Sequence, residues 1–158
     1  MSARGQFQQL RDQLQATFDR FDTIPTSELE TRSEYARHLL LRLAGFLEYA
    51  LEQAGSEFID GNAGGPVRSF AHSFASYTGN LDSERLCQYV GRFDHQWRVE
   101  LEEFLGHEER RNSINSLNGL RNAVAHGKPS SVSMVNVIGY LGVVDEFFAF
   151  LLDRLEPI

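Results

Sequence analysis

Residues 113–127 read Ser-Ile-Asn-Ser-Leu-Asn-Gly-Leu-Arg-Asn-Ala-Val-Ala-His-Gly. Leu117, Leu120 and Val124 recur at spacings of three and four, which places them on one face of a helix. The helix starts near Asn112 or Ser113, and Gly127 is a fitting C-terminal cap. A turn follows at Gly127–Ser131. Ser131 or Ser133 then opens a final helix carrying Val137, Tyr140, Leu141, Val144, Phe147, Phe148, Leu151 and Leu155 at the same period.

Upstream of this stretch the pattern is again helical, and no segment alternates as a strand does. Phe7, Leu10, Leu14, Phe18 and Phe21 form one stripe over residues 5–22, and Pro25 ends it. Ser27 with Glu30 has capping-box spacing and opens the longest helix, through Tyr35, Leu39, Leu43, Leu47, Ala50, Ala54 and Phe58. Residues 60–66 are a loop of turn formers, with Pro66 at the start of a shorter helix that carries Phe70, Phe74 and Tyr77 and ends near Gly79. Asp82 or Ser83 caps a helix expected to run unbroken through Leu86, Tyr89, Val90, Phe93, Trp97, Leu101 and Leu105, before a polar corner at residues 106–111. The expected fold is all-α: a single domain over 1–158, a bundle of five to six helices with a four-helix core.

Composition sets limits on function. The chain has 158 residues, 42% of them hydrophobic, and a net charge of −7. That charge argues against a broad nucleic-acid surface, so any polyanion site must be a local pocket. Cys87 is the only cysteine, which excludes an intrachain disulfide and fits a reducing compartment. The N-terminal residues lack the apolar core of a signal peptide, and no apolar run is read as long enough to span a bilayer. The expected location is cytoplasmic, without a membrane partner.

Arg121, Asn122 and His126 combine a permanent cation, an amide and a titratable ring at one helix end. Asn118, Asn122 and His126 form a polar row four residues apart, with Arg121 beside it. This set suits RNA. Histidine can move the proton of a ribose 2′-hydroxyl attacking its own phosphate, and arginine can stabilise the added charge on phosphorus. Asn122 can orient the imidazole or hold a phosphate oxygen, and the scheme calls for no metal or cofactor. Arg121 and His126 diverge around the axis, so a second copy of the helix across a symmetric interface would complete the set.

The segment Arg121–His126 resembles the RNxxxH form of the Arg-x(4–6)-His motif of HEPN domains (higher eukaryotes and prokaryotes nucleotide-binding). Residues 43–51, Leu-Ala-Gly-Phe-Leu-Glu-Tyr-Ala-Leu, resemble the second helix of the bacterial RiboL-PSP and MAE_28990-like branches. The resemblance implies a metal-independent endoribonuclease acting as a homodimer, a toxin or antiviral effector with RNA as substrate. An antitoxin or a larger defence-system component would be its partner. Arg121 and His126 become the catalytic pair, with Asn122 in support; Asn118 is a supporting candidate from its place in the polar row. The family also contains members that only bind a protein, RNA or nucleotide.

Three more residues join the candidates. Glu48 lies in an apolar stretch, either buried against a partner such as Arg121 or on an exposed flank. Tyr140 reaches the site or packs in the core. Lys128, the only lysine, follows the motif directly. Residues 107–111 do not form a zinc helix, because Arg111 stands where a second histidine is needed. His38, His72 and His95 show no ligand spacing, and Cys87 reads as a buried helix residue.

Overall fold

Ser2 accepts a hydrogen bond from the Gly5 N–H at 3.0 Å, and from this cap α1 runs over Ala3–Asp19. A 3₁₀ turn, Arg20–Thr23, follows. The computed structural model describes residues 2–76 and 79–157. Its other helices are α2 (Leu29–Asn62), α3 (Gly65–His72), α4 (Ser83–Gly91), α5 (His95–Leu105), α6 (Arg110–Ala125) and α7 (Met134–Leu155). Among the described residues there is no strand, so the all-α expectation holds, with seven helices where five to six were expected.

The long α2 is the central strut, packing against α1, α6 and α7, while α6 and α7 pack on each other. These four helices form the expected core. Leu39, Leu40, Leu43 and Leu51 of α2 are fully enclosed, as are Val144, Phe147, Phe148 and Leu151 of α7. Ile114 and Leu117 of α6 and Leu14 and Phe18 of α1 close the interior. The Phe148 ring lies 4.7 Å from Phe7, 5.8 Å from Phe46 and 5.1 Å from Phe147, so an aromatic cluster joins α1, α2 and α7.

Four local expectations are corrected. The capping box does not form: the Glu28 N–H bonds the Pro25 carbonyl at 3.0 Å, so Ser27 sits inside a turn and Glu28 becomes the N-cap. The expected fourth helix is two. Asp94 accepts from the Gln96 and Trp97 N–H groups at 2.7 and 3.3 Å, so it caps a new helix where the periodicity read as continuous. The helix that begins with Pro66 in its first turn stops at His72; Tyr77, also read along it, lies outside the described residues. Finally, α7 is long and apolar enough to cross a membrane by length and composition. Ten of its 22 residues, from Val137 to Leu155, are buried in the bundle.

The corner before α6 is strained. Glu108 and Glu109 have φ of 54° and 59°, a left-handed conformation that costs a side-chain-bearing residue roughly 1–2 kcal/mol. Glu109 is also the N-cap of α6, which therefore starts at Arg110 rather than Asn112. Glu109→Gly should raise stability by about 0.5 kcal/mol, because relief of strain exceeds the added unfolded-state entropy. A lower melting temperature in that variant would contradict this.

Candidate active site

The site is built at the C-terminal end of α6. The Gly127 N–H bonds the Val124 carbonyl at 3.1 Å and the Lys128 N–H bonds the Ala123 carbonyl at 2.9 Å. This paired pattern, with Gly127 at φ 68°, closes the helix through backbone alone. His126 occupies the C-cap position and is exposed. Among the described residues its side chain has no hydrogen bond or ion pair, so helix capping does not account for the imidazole. Gly127→Ala should cost about 1 kcal/mol and displace His126, readable as a lower melting temperature together with a shifted His126 ring resonance.

Arg121 lies on the other flank of α6, about 140° around the axis from His126. It is 29% exposed and reaches toward α2, where Nη1 stands 3.7 Å from Glu48 Oε1. Of the two readings of Glu48, the paired one is correct: its side chain is 24% exposed and faces Arg121. Burial raises the Glu48 carboxyl above its ordinary range, Arg121 opposes this, and Glu52 reinforces it. A carboxyl raised in the folded state makes folding less favourable above that raised value, and the penalty vanishes below the unfolded value. Glu48→Gln should therefore melt higher than the natural protein at pH 7 and equal to it near pH 4. A loss of stability confined to neutral pH would reverse this sign.

Asn80 is a site residue that the sequence did not reveal. Its Oδ1 accepts from Arg121 Nη1 at 3.5 Å, and its carbonyl accepts from Arg85 Nη1 at 3.0 Å. The segment is fixed by the start of α4. Asp82 caps that helix by accepting from the Arg85 N–H, and the Ser83 N–H donates to Asn115 Oδ1 on α6 at 2.9 Å. The Asp82 cap was legible, but its docking on α6 depends on Asn115, thirty-two residues from Ser83.

The remaining candidates divide. Asn118 and Asn122 are half-buried on α6, and Lys128 is exposed just past the cap. Tyr140 packs against the core, and no described contact joins it to Arg121 or His126. Cys87 is fully buried, as read, and burial pushes its thiol up to about 11, so a thiolate is disfavoured. Among the described residues no three His, Cys, Asp or Glu side chains gather in one place.

A family profile described as RiboL-PSP-HEPN matches residues 6–156. The chain belongs to the RiboL-PSP HEPN family. No curated protein and no solved structure gave a match. The matched span includes all of α2, α4 and α6, and so every residue placed around Arg121 and His126 in this HEPN domain. Membership sets the chain among HEPN nucleases and their related modules.

Proposed function

We propose that this HEPN protein is a metal-independent endoribonuclease whose site is completed across a homodimer, and that it serves as a toxin or antiviral effector. One observation carries the reading: His126 stands exposed at the end of α6, with no hydrogen-bond or ion-pair partner among the described residues, while the Arg121 guanidinium remains part-exposed on the other flank. Arg121 would hold the phosphate and stabilise the phosphorane. His126 would take the 2′-hydroxyl proton or protonate the leaving oxygen. Asn122 and Asn118 would support the ring or a phosphate oxygen, and Lys128 would add a second cation.

The 140° divergence favours a partner copy, because one helix does not aim both groups at one phosphorus. Small residues line the outward face of α6 on the side of His126, and Arg121 lies about 160° around the axis from Gly119 and Ala123. Ser116 and Gly119 are exposed, Ala123 is half-buried, and a Cβ built on Gly119 meets nothing within 4 Å. Val135 and Ile138, 80% and 54% exposed at the start of α7, add apolar surface just past the cap. Sedimentation should give a dimer at micromolar concentration, and a monomer there would remove the shared site.

The activity test is cleavage of single-stranded RNA in EDTA, with fragments carrying 2′,3′-cyclic phosphates. Strict dependence on added metal, or 5′-phosphate ends, would overturn the mechanism. A second reading, a non-catalytic module binding a protein, RNA or nucleotide, is favoured by the engagement of Arg121 with Glu48 and by the net charge of −7. RNA binding without turnover, weakened in Arg121→Ala, would establish that reading instead.

A further inference from the structure

We propose that Glu48 and Asn80 are positioning residues that hold the Arg121 guanidinium by one edge and leave the opposite edge to the scissile phosphate. The inference rests on the reading of Arg121 as the phosphate-binding residue. Both contacts use the same nitrogen: Nη1 lies 3.7 Å from Glu48 Oε1 and 3.5 Å from Asn80 Oδ1. Among the described residues Nε and Nη2 make no hydrogen bond. The Nε–H and one Nη2–H of a guanidinium point the same way and match two oxygens of a phosphate.

The two partners come from different parts of the fold. Glu48 stands in the middle of α2, whereas Asn80 belongs to the segment leading into α4. Asn80 accepts one long hydrogen bond, and the Glu48 carboxylate, beyond hydrogen-bond distance, attracts the same nitrogen by charge; together they bias which edge of the guanidinium faces outward. The hold is light, because part-exposed pairs at these distances contribute little, far less than a bidentate charge-assisted contact. Substrate can therefore draw the fork outward without first breaking a strong bond. Lysine at 121 has one ammonium and cannot be clamped on one side while offering a fork on the other.

The experiment compares the full chain with Glu48→Gln, Asn80→Ala, Arg121→Lys and Arg121→Ala. Two readouts are used: steady-state cleavage of a single-stranded RNA, and nitrogen-15 NMR of the Arg121 guanidinium, in which restrained rotation splits the Nη signals. Glu48→Gln and Asn80→Ala should each lower kcat about two- to fivefold with KM within about twofold, since loss of a light positioning contact acts on the transition state. Both should also collapse the Nη splitting. Arg121→Lys should be as inactive as Arg121→Ala.

Natural kcat in Glu48→Gln and Asn80→Ala, beside an inactive Arg121→Ala, would overturn the clamp and leave the site reading intact. A raised KM at unchanged kcat would also overturn it, by assigning these residues to ground-state binding. If the natural protein cuts no faster than Arg121→Ala, the site reading fails. The NMR arm then decides the clamp by itself, and unchanged splitting in both variants ends it.

Discussion

His126→Ala lowers RNA cleavage by about 10²–10⁴-fold, the range expected on losing a general acid or base, with little change in melting temperature. The combination is informative because the two effects have separate causes in this fold. The backbone bonds of Gly127 and Lys128 close α6 without the imidazole, so its removal leaves the helix end intact. Loss of activity with loss of stability would instead mark His126 as a packing residue. Full activity in the variant would remove the proposed proton transfer, whatever the role of Arg121. If the dimer shares its site, mixing His126→Ala with Arg121→Ala should restore part of the activity, since a mixed dimer holds one complete set. Absence of rescue in verified mixed dimers would confine each set to one protomer.

The largest effect on stability is expected at Phe148. This ring is fully buried and touches aromatic neighbours from α1, α2 and α7. Phe148→Ala removes the buried area and leaves a cavity between three of the four core helices, at a cost of about 3–5 kcal/mol. Against a total of roughly 5–15 kcal/mol for a domain this size, the loss is a large fraction. Calorimetry should show a fall in melting temperature of roughly 10 °C. A fall of only one or two degrees would mean that α1 and α2 close over the gap, and that the cluster is less tightly fitted than its spacings imply.

Much of the bundle was legible because its helices are amphipathic and well punctuated. Leu117, Leu120 and Val124 face inward to differing depths, Gly127 caps α6, and Ser133 caps α7 by accepting from the Asn136 N–H at 3.1 Å. The failures came where a side chain competes with the periodic signal. Asp94 breaks an otherwise regular pattern by bonding backbone N–H groups, and Pro25 closes a turn that withdraws Ser27 from its expected cap. Around the site, the Arg121–Glu48 pairing could be suspected, because a carboxylate amid apolar neighbours needs a partner. Asn80 could not, since no local rule links it to a residue forty-one positions away.

The single lysine offers a route into the site that mutation does not. Lys128 is exposed two residues beyond His126, and every other long cationic side chain in the sequence is an arginine. An amine-directed fluorophore therefore has one side-chain target in the whole protein, and that target adjoins the proposed site. Its emission would report RNA docking or subunit pairing on a protein whose native residues are otherwise untouched.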